Sequence, residues 1–204
     1  MKHYEISVEF YPVPEEAVDW ATIETASFDL VLSWVGERVF GSAVVKSRTE
    51  SLAFGDFQLL AFVAGLSVKK VDLGLVSTSE IAEELNSSRE TVRLWAEGKR
   101  RAGFPQPFAT VGGSNIWAWS DVYDWARKQV GLEVSDFTPL SLNYVEKMNV
   151  HLAQGLDVLK IHFLESLKKV PPRDPHKLLF RYKDKAGFFD PAPFENALGN
   201  NKVS

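Results

Sequence analysis

The stretch VSTSEIAEELNSSRETVRLWAEG, Val76 to Gly98, decides how this chain is divided. Ser77 is followed three residues later by Glu80, the spacing of a capping box. There the serine oxygen satisfies one orphan amide of a helix start and the glutamate reaches back to another. Ile81, Ala82 and Leu85 then fall on one helical face, and Asn86 suits the left-handed conformation that ends a helix. Ser87 or Ser88 caps a second helix, RETVRLWAEG, which buries Val92 and Trp95 and stops near Gly98. Two short helices across a turn of three or four residues, with a small alanine inside the first, spell a helix-turn-helix.

Charge marks the same region. The chain carries a formal net charge of −4, unevenly spread. Residues 1–73 hold six Lys/Arg against eleven Asp/Glu, and residues 74–86 hold three acids and no base. Residues 87–129 reverse the balance, with seven bases against four acids. Arg89 and Arg93 stand one helical turn apart, and Lys99, Arg100 and Arg101 follow in the loop behind them. A basic island in an acidic molecule can dock on phosphates while the rest faces away.

Further along, Phe104-Pro105-Gln106-Pro107 turns the chain, and Val111-Gly112-Gly113-Ser114-Asn115-Ile116-Trp117 reads as a tight β-hairpin, because paired glycines accept positive backbone angles. Trp119-Ser120-Asp121-Val122, with Trp125, opens a closing helix, with Ser120 as its N-cap. Trp117, Trp119 and Trp125 supply a core too small to be built from aliphatic side chains. As a composite, residues 75–129 resemble the MerR-like winged helix-turn-helix proteins of the excisionase and AlpA type, small bacterial and phage DNA-binding regulators.

That resemblance implies a sequence-specific double-stranded DNA partner. The second helix would enter the major groove, placing Ser88, Arg89, Glu90, Thr91 and Arg93 at base edges. Either arginine could pair two donors with a guanine. Glu90 could accept from a cytosine amino group or complete a cap on Ser87, and the cap is the favoured expectation. Lys99, Arg100 and Arg101, with Ser114 and Asn115 on the wing, are the candidate phosphate contacts. Relatives often place arginine near the wing tip or between its tryptophans, where this chain has Ser114, Asn115 and Ala118. A single module of this size binds weakly, so a homodimer or a cooperative oligomer is expected.

Residues 1–73 show a different periodicity. Tyr4, Ile6, Val8 and Phe10 alternate with polar residues as in a strand, and Pro14 opens a helix through PEEAVDWATIETA. Phe28 to Trp34 and Val39 to Lys46 form a hairpin around Gly36, ESLAFGDFQLLAFVAG is a helix stopped by Gly65, and Val68–Leu73 is a fourth strand. The order βαββαβ is that of a ferredoxin-like split βαβ sandwich, a fold that fixes no activity by itself.

Beyond the wing, residues 138–170 carry an apolar stripe through Val145, Met148, Leu152, Leu156, Leu159, Phe163, Leu167 and Val170, an amphipathic helix or helix pair that either covers the preceding domains or pairs with a second copy. His151 and His162 share a face but stand too far apart to bind one metal. Residues 171–204 form a tail with a hairpin around Asp184–Gly187, which packs on its own chain or docks a protein partner.

The expected class is therefore α+β: a ferredoxin-like domain (1–73), a winged helix-turn-helix (74–130) and a C-terminal helical extension. With 45% hydrophobic and 25% charged residues the chain can bury real cores. No apolar run suits a membrane span and the start lacks a secretion signal, so a cytoplasmic, nucleoid-associated protein is expected. The absence of cysteine removes disulfides, thiolate zinc sites and cysteine nucleophiles. No acid/base pair, metal cluster or phosphate loop stands out, so the expectation is a non-enzymatic regulator without cofactor or metal. Its alternatives are a recombination directionality or phage DNA-packaging factor, and a protein-interaction adaptor whose winged helix no longer binds DNA.

Overall fold

β1 (Lys2–Phe10) puts Tyr4, Ile6, Val8 and Phe10 on one face, and all four are buried, as strict alternation requires of a strand packed on one side. This is the central strand of the larger of two sheets in a computed structural model that describes residues 1–129, 131, 132 and 134–154. The chain continues through α1 (Trp20–Glu24), β2 (Leu30–Val35), β3 (Arg38–Ser47), α2 (Glu50–Val63) and β4 (Val68–Val71). The four strands lie in the order β2-β3-β1-β4, with every neighbouring pair antiparallel.

The helices cover the apolar face. Ala53, Phe54, Phe57 and Ala61 of α2 are buried at helical spacing, and Phe57 stacks against Phe10 of the sheet and Phe54 of its own helix, each at 6.2 Å between ring centroids. Gly41 on β3 makes room for this stack, since a Cβ there would stand 2.4 Å from the Phe10 ring. The single helix expected from Pro14 is instead broken in two. Glu15–Ala17 makes one 3-10 turn, Val18 goes extended to reach the core, and Asp19 caps α1 by accepting from the Thr22 amide at 3.1 Å.

The opposite face carries Glu9, only 4% exposed, beneath Arg38, Lys69 and Lys70 at 2.9, 2.9 and 3.2 Å. The hydrogen bond from Arg38, then that from Lys69, holds the Glu9 carboxyl far below the usual carboxylate range. A carboxyl depressed in the folded state stabilises the fold above its ordinary value near 4.5, and that contribution disappears as pH falls. Glu9→Gln should therefore unfold at lower denaturant than the parent at pH 7, with the gap closing below about pH 4.5. Parallel stability curves for the two proteins through that range would contradict this role.

The second sheet has the order β5-β7-β6, formed by β5 (Leu75–Ser77), β6 (Ala109–Val111) and β7 (Ser114–Ala118). Around it lie α3 (Thr78–Glu84), α4 (Arg89–Ala96) and α5 (Trp119–Ala126). The sheet and these helices enclose a separate core of Ile81, Leu85, Val92, Trp95, Phe104, Trp117, Val122 and Trp125. Trp119 is only half-buried and packs against its edge.

The C-terminal segment opens with a strand not expected from the sequence. Phe137–Pro139 forms β8, which pairs parallel to β1 with His3 opposite Phe137, and only then does α6 (Leu142–Ala153) begin. Val145 is buried in the first core, with Tyr144, Met148 and Leu152 packed against it, so this part of the apolar stripe covers the chain's own first domain. The rest of the stripe, His162 and the expected tail hairpin lie outside the described residues.

Three long-range contacts fix α6. Glu50 accepts from the Ser141 amide at 2.9 Å and its hydroxyl at 3.0 Å. Ser120, expected to cap α5, instead accepts from the Leu142 amide at 3.1 Å; α5 follows Ala118 without a side-chain cap. The Asn149 amide donates to the Val71 carbonyl at 2.9 Å and accepts from the Val71 amide at 2.7 Å, so a side chain completes the edge of β4. Asn149→Ala leaves both backbone groups of the buried Val71 without that partner, and should cost about 1–3 kcal/mol in urea unfolding. An unchanged midpoint would show that this edge needs no side chain.

The architecture is thus mixed α+β, with two sheets and six α-helices among the described residues. Within those residues no helix is long and apolar enough to cross a membrane.

Candidate nucleic-acid interface

The helix pair forms as its end signals dictate. Ser77 accepts from the Glu80 amide while Glu80 accepts from the Ser77 amide at 2.7 Å, completing the capping box. The Ser77 amide, then the Ser77 side chain, holds the Glu80 carboxyl below the usual carboxylate range. Asn86 takes a positive φ of 44°, and α4 starts three residues later. Ser88 rather than Ser87 is the cap, its hydroxyl accepting from the Thr91 amide at 3.1 Å and standing 2.9 Å from the Thr91 hydroxyl. The Ser87 amide is already bonded to the Ala82 carbonyl at 2.7 Å, which is why Glu90 does not close a box there.

Glu90 turns instead toward Arg93. It accepts from Nε at 2.9 Å and from Nη2 at 2.6 Å, while Nη1 of the same guanidinium donates to Glu97. The second oxygen of Glu97 meets Lys99 Nζ at 2.7 Å. The Arg93 hydrogen bond holds Glu90 below the usual carboxylate range, and Lys99, then the charge of Arg93, does the same for Glu97. The i to i+4 spacing from Arg93 is the sequence signal that points to Glu97 as its partner.

The five cations of the island therefore differ in situation. Arg89 and Arg100 are exposed and make no ion pair with any described residue. Arg93 and Lys99 are exposed but engaged by carboxylates. Arg101 is half-buried, takes a φ of 53° and lays its guanidinium 6.0 Å from the Trp95 ring centre, so it covers the aromatic core as well as facing outward.

That core also shapes the basic loop. Trp125 donates its indole N–H to the Ala102 carbonyl at 3.1 Å, and Trp117 donates to Pro105 at 3.2 Å. Lys99 and Arg100 both direct their amides at the Leu94 carbonyl, wrapping the loop around the end of α4. The loop is pinned at both ends by residues that sequence periodicity assigns only to packing.

β6 and β7 join through Gly112 and Gly113, with φ of 57° and 81°, the two-residue hairpin turn that favours glycine. Ser114 and Asn115 stand exposed beside it; the Asn115 carbonyl oxygen accepts from the Thr110 hydroxyl at 2.8 Å. Ser88 caps α4, Arg89, Glu90, Thr91 and Arg93 lie in its first two turns, and none of the five is buried. The hairpin places Ser114 and Asn115 on a separate projection of the same small domain.

A cleft of about 510 Å³ unforeseen in the sequence separates this domain from the larger sheet, lined by Glu5, Asp72, Glu80, Glu84, Trp119 and Phe137 among others. Partial desolvation, then the like charge of Glu84, raises the Glu5 carboxyl above its usual range. This acidic side would repel a phosphate backbone, so it sets a boundary to any polyanion footprint. Among the described residues no group of three or more His, Asp or Glu side chains is placed to hold a metal ion.

Comparison with protein-family models, with curated proteins and with solved structures finds no match to this chain.

Proposed function

We propose that this chain is a sequence-specific double-stranded DNA-binding protein, a bacterial or phage transcriptional regulator, in which residues 74–129 act as a winged helix-turn-helix. The observation that carries the proposal is the exposed first turn of α4, capped by Ser88 and carrying uncommitted Arg89, on a helix set across the Asn86 turn from α3. A helix presented in this way offers its N-terminal side chains to base edges and its first amides to phosphate. The β6–β7 hairpin supports the wing assignment, since its inner strand pairs with β5 at the start of α3. For residues 1–73, the βαββαβ order and the antiparallel arrangement β2-β3-β1-β4 support a ferredoxin-like sandwich.

Arg89 and Arg93 are the proposed base-reading cations, with Ser88, Glu90 and Thr91 beside them. Lys99, Arg100, Arg101, Ser114 and Asn115 are the proposed phosphate contacts. The modest charge of one module makes a dimer or cooperative oligomer the binding form.

The test is selection of genomic fragments by the purified chain, followed by retention assays across salt. Sequence-dependent retention that weakens steeply with salt supports the proposal. Uniform failure to retain any duplex sinks it. The engagement of Arg93 and Lys99 by Glu90 and Glu97 favours one second reading, a protein-interaction adaptor on the same scaffold. An adaptor keeps its function when Arg89 and Arg93 are both replaced by alanine.

A further inference from the structure

Glu90 and Glu97 place negative charge on α4, a helix that approaches phosphates in the function proposed above. Its start is capped by Ser88, and Val92 and Trp95 already bury its inner face. Their position is nonetheless specific. Three of the five donors of Arg93 point at carboxylates, including both donors of the Nε–Nη2 edge, a pairing in which Glu90 occupies the fork that a guanine or phosphate would take. Glu97 bridges Arg93 and Lys99, so the four-residue network has no net charge. A network with no net charge adds little long-range attraction for a polyanion, and of the five cations of the island Arg89 and Arg100 are exposed with no ion pair to a described residue.

We infer that Glu90 and Glu97 act as a brake on DNA binding: they hold Arg93 and Lys99 along α4 and withhold them from the duplex until a site offers enough to take them. The inference rests on the DNA-binding function proposed above. The ion pairs lie at the surface, where the side chains are between 33% and 64% exposed, so they can exchange partners without unfolding anything. A cognate guanine adds its two acceptors to the phosphate oxygens that every sequence offers, so a cognate site competes for Arg93 better than a random one. The brake therefore lowers non-specific binding more than specific binding, and discrimination rises through the contact that is withheld.

The test is a double-mutant cycle on the full chain, comparing the parent, Glu90→Gln/Glu97→Gln, Arg93→Ala and the triple variant. Binding is read by fluorescence anisotropy on a labelled mixed-sequence duplex of about 30 base pairs, three helical turns, over a salt series. Releasing the carboxylates should tighten binding about tenfold at low salt and steepen the logarithmic salt dependence by about one to two, as Arg93 and Lys99 join the contacts. Arg93→Ala should then weaken the released protein by a factor about tenfold larger than it weakens the parent. Circular-dichroism melting checks that each variant is folded.

If Arg93→Ala weakens both backgrounds by the same factor, the carboxylates merely repel DNA and the brake is rejected while DNA binding stands. Weaker binding after release also rejects it, making Glu90 and Glu97 positioning residues. Binding by the released variant alone supports the brake when Arg93→Ala abolishes it, and rejects the brake when Arg93→Ala leaves it intact. If neither the parent nor the released variant binds duplex, the brake falls together with the DNA-binding function.

Discussion

Trp95→Ala is expected to destabilise the second domain by about 3–5 kcal/mol, the range for deleting a large aromatic side chain from a core. Trp95 is 2% exposed and packs against Phe104 and Trp125, at ring separations of 6.4 and 5.2 Å. Truncation removes those contacts and leaves a cavity that neither neighbour can fill, since the Trp125 indole is tethered to the Ala102 carbonyl and that of Trp117, against Phe104, to Pro105. Trp95→Phe should behave very differently. It keeps a ring and removes an indole N–H that has no hydrogen-bond partner among the described residues, so a cost below about 1.5 kcal/mol is expected. Guanidinium unfolding followed by fluorescence of the remaining tryptophans measures both. Equal losses for the two variants would mean that the indole nitrogen, and not ring volume, holds this core.

Arg89→Ala is expected to weaken binding to a selected DNA site by about tenfold or more, the loss of one bidentate contact, while leaving the melting temperature unchanged. The separation of the two effects follows from placement. Arg89 is exposed at the first position of α4, after the cap, and no ion pair to a described residue depends on it. Preference at a single base pair should relax along with affinity, whereas Arg100→Ala should weaken all sequences alike. Anisotropy titrations on the selected site and on single-base variants distinguish the two patterns. An Arg89→Ala protein that binds every variant as tightly as its parent would remove α4 as the reading element.

The local signals in the sequence were specific because they act between residues close in the chain. The Ser77–Glu80 box, the left-handed Asn86 and the Gly112–Gly113 turn each formed where their residue types place them. The alternation in β1 likewise placed Tyr4, Ile6, Val8 and Phe10 in the core, although it gave no sign that Glu9 on the other face is buried too. Even local chemistry left choices open, however. Glu90 had a serine on one side and an arginine on the other at workable spacing, and the Ser87 amide had already been taken by Ala82.

The sequence by itself determined the α+β class, the boundaries of most elements and the basic character of the α4 region, because propensity, capping and periodicity are carried by neighbouring residues. Tertiary structure alone decided that Phe137–Pro139 joins β1, that Ser120 and Glu50 secure the start of α6, and that Asn149 completes the edge at Val71. Those partners stand 22 to 91 residues apart in three of these hydrogen bonds, and no periodicity links residues across such distances. The folded arrangement likewise sorted the cations: Arg101 lies over an indole, Arg93 and Lys99 are held by glutamates, and Arg89 faces outward. Charge was legible in the chain, but its availability depends on which acceptors the packed side chains bring within hydrogen-bond reach.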